Sequence, residues 1–425
     1  MDVAILLSVF IGGLVLGIPV AITLGLSSLA YILVAGIPPV VMPQKMYAGM
    51  DVFVLLSIPG FILAGNLMNQ GGITGRIIRF ANALVGWIRG GLGLTNIAAS
   101  MLFGGITGTA VADAASIGGV MIPGMKKAGY PGDFSAAVTA ASSTVGPIIP
   151  PSVPMIIVGA LSGISVGQMF LAGAVPGILM GVAMMVTAYV IARKRNFPRQ
   201  DWLGAREVGR SFAGAFWALA MTFLIIYGLL SGLATPTETA VVASVYAFFV
   251  GAFIYRELPL RKVPGIIIDS AISAAGILAL VGFANVFGWI LVSERIPQAI
   301  ADGVLAVTDN RILVILLINL LLLFVGMFME TIAALIILFV PLLSLAEAVG
   351  IEPLHFATFA VLNLIIGLTT PPVGVCLFVC AGIARLPLMP VIVAIMPFLL
   401  SNLLVLLMVS YIPALATWLP SLLTP

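Results

Sequence analysis

Long apolar runs separated by short charged clusters constrain the fold of this chain more than any other feature of its sequence. Of its 425 residues, 62% are hydrophobic and 8% are charged, whereas soluble domains carry about 25% charged residues. Runs of about 18 apolar residues or more are long enough to cross a bilayer as helices. The pattern therefore predicts an all-α polytopic membrane protein.

Composition also excludes several classes of function. Cys376 and Cys380 lie one helical turn apart in an apolar run, which is typical of buried, reduced cysteines. His355 is the single histidine, and neither a metal cluster nor a Ser–His, paired-Asp or His–Glu zinc arrangement is evident at membrane depth. We therefore expect no enzyme. The net charge of +3 follows from topology and indicates no nucleic-acid partner.

Ten runs are predicted to cross the membrane, and Asp2 in the first of them argues against a cleaved signal peptide. These runs lie at residues 2–18, 20–36, 52–69, 134–161, 168–192, 211–231, 237–255, 267–292, 355–383 and 388–412. Segments 72–90 and 257–269 are more amphipathic and suit interfacial helices. Segments 93–125 and 311–346 are too long for one straight span and too short for two, so we expect re-entrant hairpins.

The basic residues predict the orientation of the chain. If the N-terminus lies outside, only Lys45, Arg295 and Arg311 fall outside, and the other basic residues fall inside, including the loop at 193–210. Such an excess of inner Lys and Arg is typical of membrane proteins. We expect both termini to lie outside.

The chain also repeats itself, as 1–210 and 211–425. Pro19 matches Pro236, AGN at 64–66 matches FAN at 283–285, and Gly108 matches Gly326 or Met327. SSTVGPIIPP at 142–151 matches NLIIGLTTPP at 363–372. Five crossings in each half would insert the second half upside down, so the sequence predicts two inverted repeats, which are common in secondary transporters.

The prolines in these two matched segments break membrane helices near their middle. Proline lacks an amide hydrogen, so a break frees backbone carbonyls, and hard cations such as sodium bind carbonyl and hydroxyl oxygens. The half-helix after Pro151 presents free amides, which suit an anion. Hydroxyl groups that could add ligands belong to Thr107, Thr109, Ser142, Ser143, Thr144, Thr331, Thr369 and Thr370.

Asp113 and Glu330 lie within the two hairpins, and intramembrane acids are usually functional. Each could cap the returning hairpin helix, or line a substrate cavity or tune an ion site. No Lys or Arg is predicted at membrane depth, so an anionic substrate would depend on helix amides, hydroxyls and bound cations. We predict that substrate binds between the two halves, beside Thr109, Asp113, Ser143, Glu330 and Thr331.

Together these motifs identify a family resemblance over the full chain. The segments GGITGTAVADAASIG, KKAGYPGDFSAAVTAASSTVGPIIPPSVPMIIVG, GMFMETIAALIILFVPLL and GLTTPPVGVCLFV, with the RGGLG run at 89–93, resemble the large membrane subunit of tripartite ATP-independent periplasmic (TRAP) transporters. The resemblance implies sodium-driven import of an organic acid, such as a C4-dicarboxylate, sialic acid or a sugar acid, across the bacterial inner membrane. It implies two partners, a periplasmic binding protein and a small four-helix membrane subunit.

The resemblance also implies an elevator, in which a transport domain slides against a scaffold. The scaffold would comprise 1–70 and 211–255, with arms at 72–90 and within 257–292. It implies at least two sodium ions. The first site would use Thr107, Gly108, Thr109, Gly146, Ile149 and Pro151, and the second would use Gly326, Met327, Gly367, Thr370 and Pro372.

The main alternative is a stand-alone sodium/dicarboxylate symporter of similar fold that needs no binding protein. The hairpin motifs argue against it. A channel is disfavoured because the predicted sites are paired and occluded, whereas a channel would line a continuous pore.

Overall fold

The computed structural model describes residues 2–423, and all side chains within that range except those of Asp2 and residues 105–107. The part described is all helical, with twenty α-helices and no strand, which confirms the predicted fold class. In the first half the helices are α1 Asp2–Val15, α2 Val20–Val34, α3 Val41–Met50, α4 Ser57–Gln70, α5 Ile73–Val85, α6 Gly91–Thr107, α7 Ala110–Lys127, α8 Gly132–Ser143, α9 Val153–Ser162 and α10 Val166–Lys194.

The second half continues with α11 Ala205–Leu230, α12 Pro236–Phe249, α13 Val263–Ser293, α14 Ile296–Leu305, α15 Arg311–Gly326, α16 Thr331–Ala348, α17 Pro353–Gly367, α18 Val375–Ala384, α19 Leu388–Tyr411 and α20 Ala414–Leu423. A 3₁₀ turn, Phe53–Leu56, precedes α4, and a π-helical turn, Val250–Ile254, extends α12.

Seven helical stretches of the described chain are long and apolar enough to cross a membrane by length and composition. They comprise Phe53–Gln70, Val166–Lys194, Ala205–Leu230, Pro236–Ile254, Leu260–Ser293, Thr331–Ala348 and Leu388–Tyr411. The other predicted crossings consist of shorter apolar helices, namely α1, α2 and the pairs α8–α9 and α17–α18. Both predicted hairpins are present as helix pairs, α6–α7 and α15–α16.

Four features of the helix order differ from the sequence prediction. Residues 257–269 do not form a separate interfacial helix, because Pro264 lies in the first turn of α13, where its missing amide leaves no helix bond unmade. The amphipathic helix of the second half is α14 instead. Helix α11 already begins at Ala205, inside the predicted basic loop. Helices α3, α14 and α20 were not predicted, since their ten residues are shorter than any membrane span.

The helices pack as two groups. In the outer group, α1 packs on α2, α2 and α3 pack on α13, and α4 packs on α12 and α13. In the inner group, α6, α7 and α8 pack on one another, α18 packs on α7 and α8, and α9 packs on α16. Helix α11 packs on α12 of the outer group, and helix α5 contacts both α6 and α11, so α5 connects the groups.

The first halves of the two broken segments lie deepest in the molecule. All residues of α8 from Phe134 to Ser143 are buried, and so are all residues of α17 from Leu354 to Gly367. Both segments carry buried hydroxyl or amide side chains close to their breaks. Since buried polar groups are expensive unless paired or liganded, the breaks are where a polar ligand would bind.

Candidate functional site

The first break separates α8 from α9 over residues 144–152. Turn hydrogen bonds continue briefly after α8, from Thr144 N to Ala141 O at 3.2 Å and from Val145 N to Ser142 O at 3.0 Å. The amides of Ile148 and Ile149 then both donate to Val145 O at 3.1 Å, and the Pro150–Pro151 peptide bond that follows is cis. Within the described residues, no donor bonds to the carbonyl oxygens of Gly146, Ile149 or Pro151, which leaves three free acceptors at this break.

The tip of the first hairpin lies against this break. A Cβ atom built on Gly108 would lie 3.0 Å from Val153 Cγ2 and 3.9 Å from Pro151 O. Gly108 has φ +66°, a left-handed conformation that favours glycine. One turn earlier, a Cβ atom on Gly104 would overlap Gly146 Cα. The structure thus brings Gly108 together with the residues of the first predicted sodium site, whereas the side chain of Thr107 lies outside the described residues.

The second break repeats this arrangement. A Cβ atom on Gly367 would lie 2.6 Å from Gly326 Cα, and Gly374 N donates to Met327 O at 3.4 Å. The second Pro–Pro bond, Pro371–Pro372, is also cis. The tip of the second hairpin therefore lies against its own break.

Not all oxygens predicted for the second sodium site are free. Gly367 O accepts from Thr370 N at 2.9 Å, and Met327 O accepts the Gly374 bond. The Thr369 and Thr370 hydroxyls donate to Ile366 O at 2.9 and 3.0 Å, which leaves their lone pairs available. The carbonyls of Thr370 and Pro372 accept no bond from the described residues.

One glycine of the contact was missed by sequence reasoning. The sequence match paired Gly108 with Gly326 or Met327, but the glycine that touches the first break as Gly326 touches the second is Gly104. The signal was present, because Gly104 precedes Gly146 in the same relation as Gly326 precedes Gly367. The prediction considered only the hairpin tips opposite the breaks, and Gly104 lies one helical turn before the first tip.

Side-chain caps settle one of the alternatives for the two hairpin acids. Thr109 caps α7, its hydroxyl accepting from Ala112 N at 3.4 Å. Glu330 caps α16, its carboxylate accepting from Ile332 N at 3.0 Å and Ala333 N at 3.3 Å. The capping interpretation is therefore confirmed for Glu330 and wrong for Asp113.

Asp113 is instead a buried carboxylate beside the first break. It is fully buried, and neither carboxylate oxygen has a hydrogen-bond partner within the described chain. Its Cγ lies 3.5 Å from the position of a Cβ atom on Gly146. The Ser100 hydroxyl lies beside it but donates to Ser142 Oγ at 3.1 Å. An unpaired carboxylate in this position suits a cation or a protonated ligand group.

The two breaks meet near Ser143. Its hydroxyl donates to Ala140 O at 2.8 Å and lies within hydrogen-bonding reach of the thiol of Cys376, which follows the second break. Thr331, at the second hairpin tip, is buried, and its hydroxyl has no partner among the described residues. Helices α7, α9 and α16 are capped by Thr109, Ser152 and Glu330, whereas α18 begins after Gly374 without a side-chain cap.

Each hairpin is also joined to its broken helix by a buried polar network that sequence reasoning missed. In the first half, Asn96 Nδ2 donates to Thr139 Oγ1 at 2.6 Å, and Ser142 Oγ donates to Asn96 Oδ1 at 3.0 Å. In the second half, Asn363 Nδ2 donates to Asn319 Oδ1 at 2.7 Å. The sequence signal that could have predicted these networks is the presence of single polar residues, such as Asn96 and Asn319, inside apolar helical runs.

No Lys or Arg is buried in the described chain. The ionisable side chains that are buried there, apart from cysteines and tyrosines, belong to Asp113 and His355. The described residues contain no group of three or more His, Cys, Asp or Glu side chains that could hold a metal ion. A cation at the breaks would therefore depend on carbonyl and hydroxyl oxygens, with the single carboxylate of Asp113 beside the first break, and oxygen ligands of this kind suit a hard ion.

Comparison with known proteins places the chain in a family. A model of the DctM component of the tripartite ATP-independent periplasmic transporter matches residues 7–415. The sialic acid TRAP transporter large permease protein SiaM of Vibrio cholerae is 42% identical over 414 residues, covering 97% of each chain. The C4-dicarboxylate TRAP transporter large permease protein DctM of the same organism is 37% identical over 449 residues, covering 100% of this chain and 98% of the relative.

The fold resembles a solved transporter. The YdaH transporter of Alcanivorax borkumensis superposes with a TM-score of 0.59 at 15% sequence identity, covering 89% of this chain and 87% of that one. The match to the family model extends over both hairpins and both breaks, so the glycine contacts belong to the matched region. The chain is a member of the DctM family, the large membrane subunit of TRAP transporters.

Proposed function

We propose that the chain is the permease subunit of a sodium-coupled importer of an organic acid across the bacterial inner membrane. The observation that carries the proposal is the pair of matched contacts between a hairpin and a broken helix, each with free carbonyl oxygens. Relatives named for sialic acid and for C4-dicarboxylates support an organic acid as substrate.

Sodium would bind where each hairpin tip meets its break. At the first break the free carbonyls of Gly146, Ile149 and Pro151 supply oxygen ligands, beside the tip residues Gly108 and Thr109. At the second break, the Thr370 hydroxyl and the carbonyls of Thr370 and Pro372 do so, with Gly326 and Gly367 holding hairpin and break together. Two such sites imply at least two ions per cycle.

The substrate carboxylate would bind between the breaks, at the uncapped start of α18 after Gly374 and near Ser143 and Thr331. Gly374 N donates to Met327 O and Cys376 N donates to Leu368 O, so the amide of Val375 and the positive end of the helix dipole are what attract an anion there. The buried Asp113 carboxylate repels a second anion in this low-dielectric region, and the described interior holds no Lys or Arg to offset it. Bound sodium would supply that positive charge, so cation coupling follows from the charges present.

Movement would follow an elevator. The inner group of helices carries both breaks and both hairpins, and the outer group would be the scaffold. Within the inner group, glycine contacts and buried polar networks join each hairpin to its break, which favours motion of the two as one body. Helix α5, in contact with both groups, is suited to be a connecting arm.

The family name implies a complex of three components, so we propose a small four-helix membrane subunit and a periplasmic binding protein as partners. Helix α11 presents exposed aromatic side chains at Phe212, Phe216, Phe223 and Tyr227, which suit lipid or a membrane partner. We place both termini in the periplasm, on the charge asymmetry of the sequence.

Reconstituted uptake tests this proposal. Proteoliposomes containing the chain and its co-expressed small subunit are given labelled N-acetylneuraminate or succinate, an inward gradient of sodium or of choline, and the cognate binding protein or none. We expect uptake only with sodium and binding protein together. Equal uptake without binding protein would contradict the tripartite assignment and support a stand-alone symporter, and equal uptake in choline would contradict sodium coupling.

A further inference from the structure

A cavity of about 360 Å³ lies away from the helix breaks, between the two groups of helices. Its outer-group wall comes from α3 and α13, and its inner-group wall comes from α9 and α16, with Pro297 at the start of α14 also lining it. Most of its lining is apolar, for example Ile157, Leu161, Ile336 and Val340. Its volume lies within the range of small-molecule sites, about 300–1,000 Å³.

Two polar side chains interrupt this apolar lining, Lys45 on α3 and Asn285 on α13. Lys45 is half-buried, with its ammonium 5.2 Å from the centre of the Trp289 ring. One turn along each helix, a Cβ atom on Gly49 would lie 3.0 Å from Asn285 Nδ2. Gly49 thus allows the Asn285 amide to lie directly over α3, one helical turn from Lys45 along that helix.

Neither donor is used within the described protein. The ion pairs found among the described residues join Arg76 to Glu257 and Arg195 to Asp133, so Lys45 has no carboxylate partner there. The cation–π contact with Trp289 occupies one face of the ammonium and leaves N–H donors free. Likewise, no described residue forms a hydrogen bond with the Asn285 side chain.

The internal repeat provides a comparison for the Asn285 side chain. Asn66 is the sequence counterpart of Asn285, in AGN and FAN respectively. Asn66 Nδ2 donates to Ser270 Oγ at 2.8 Å, so the first-half amide has an internal partner. The second-half amide faces the cavity without one. The two halves use the same residue differently, and only the copy beside the lysine is open to a ligand.

Nearby acids do not neutralise the lysine. Glu294, at the end of α13, accepts a hydrogen bond from the Tyr31 hydroxyl and does not line the cavity. Asp51, which follows α3, is exposed and is also outside the lining. The cavity therefore holds a net positive charge and an amide donor in an apolar surround, which suits a carboxylate.

We propose that Lys45 and Asn285 bind the carboxylate of an organic acid in this cavity, as a sodium-independent site that precedes the helix breaks. Naming the ligand as the transported acid rests on the proposed function. The cavity wall supports the order of events, because α9 begins at the first break and α16 begins at the tip of the second hairpin. An acid held at Lys45 would lie beside the two helices that lead to the breaks.

Saturation-transfer difference NMR tests binding without transport. The full-length protein in lipid nanodiscs, in choline chloride without sodium, is titrated with N-acetylneuraminate and with succinate, and empty nanodiscs give the baseline. We expect a saturable signal from at least one acid and none from the neutral sugar N-acetylmannosamine. Lys45→Gln should raise the apparent Kd about tenfold, since a charged hydrogen-bonding partner is lost.

Matched variants separate this site from general effects of charge. Lys45→Arg should retain the signal, and Lys127→Gln, at an exposed lysine without an ion-pair partner among the described residues, should not change it. Asn285→Leu should weaken binding in the same direction as Lys45→Gln. An unchanged Kd in Lys45→Gln, the absence of any saturable signal, or an equal signal from the neutral sugar would each overturn the proposal.

Uptake measured on the same variants distinguishes failure of the cavity site from failure of the proposed transport function. Lys45→Gln should raise the KM for substrate at saturating sodium while leaving the maximal rate unchanged. Normal sodium-driven uptake with no Lys45-dependent binding would contradict the cavity site and leave the proposed function standing. Lys45-dependent binding in a protein that transports neither acid would contradict the proposed function instead.

Discussion

Gly104 approaches Gly146 so closely that a Cβ atom on Gly104 would lie 2.4 Å from Gly146 Cα, so Gly104 cannot carry a side chain unless the backbone moves, whereas a Cβ atom on Gly146 would lie 3.4 Å from Gly104 Cα. In the second half the crowded residue is Gly367, whose added Cβ atom would lie 2.6 Å from Gly326 Cα, while one on Gly326 would lie 3.1 Å from Gly367 Cα. Backbone cannot rotate aside as a flexible side chain can, so an added methyl group must separate hairpin from break. The candidate ion sites depend on that approach at the level of single atoms.

Replacing Gly104 with Ala should therefore weaken sodium coupling. The added Cβ atom would overlap Gly146 Cα, and we expect destabilisation of about 1–3 kcal/mol together with a higher half-saturating sodium concentration for uptake. The matched control is Gly119→Ala on α7, where the new atom meets nothing within 4 Å. Equal sodium activation in both variants would contradict the assignment of the first site.

Asp113→Asn should separate stability from transport. The substitution removes an unpaired buried charge and leaves the Thr109 cap of α7 intact, so we expect an unchanged or higher apparent Tm. Uptake should fall about tenfold or more, because intramembrane acids that no side chain pairs usually serve function. Asp269→Asn, at an exposed position, is the control. Normal uptake by Asp113→Asn would show that this carboxylate serves neither ion nor substrate.

Helices and their breaks are the level at which the sequence was most informative. The prolines of PIIPP and TTPP predicted both interruptions, and glycine- and acid-containing centres predicted both hairpins. Short helices escaped prediction, since α14 and α20 have ten residues and resemble the ends of neighbouring spans. Contacts between elements, such as Gly104 with Gly146 or Asn363 with Asn319, could not be derived, because periodicity defines a buried face but not its partner.

Two buried asparagines test the polar networks that join hairpin to break. Asn363 donates to Asn319 O at 2.9 Å and to Asn319 Oδ1 at 2.7 Å, whereas the amide of Asn402 is equally buried and has no partner among the described residues. Asn363→Leu should lower the apparent Tm, since about 1–3 kcal/mol is lost when a buried polar partner is removed. Asn402→Leu should leave it unchanged or raise it. The reverse order would contradict the network's role.

At the scale of the whole molecule, the outer and inner groups meet across the cavity between α13 and α16. An elevator requires these surfaces to slide past each other, whereas contacts inside each group persist. Gly288 and Ile337 line the cavity from opposite groups, and Gly13 and Thr23 pack together within the outer group, where a Cβ atom on Gly13 would lie 2.7 Å from Thr23 Cγ2.

Cross-linking across that boundary should stop transport. We expect the double variant Gly288→Cys with Ile337→Cys to lose most uptake after treatment with a bis-maleimide. The same double variant without cross-linker should retain its uptake. Gly13→Cys with Thr23→Cys, treated alike, should retain uptake, because both residues belong to the outer group. Full activity in the cross-linked boundary pair would contradict sliding of one group against the other.

The dependence of uptake on sodium concentration is the decisive test of paired sodium sites at the helix breaks. Thr370→Val removes a hydroxyl at the second break, and Thr417→Val removes a hydroxyl with the same kind of backbone bond, Thr417 Oγ1 to Pro413 O at 3.1 Å, in α20 away from both breaks. We predict that the wild-type activation curve is steeper than hyperbolic. In Thr370→Val the half-saturating sodium concentration should rise about tenfold, because one charge-assisted ligand is lost. In Thr417→Val it should not change. Sodium-independent uptake, or identical curves for all three proteins, would contradict paired sodium sites at the helix breaks.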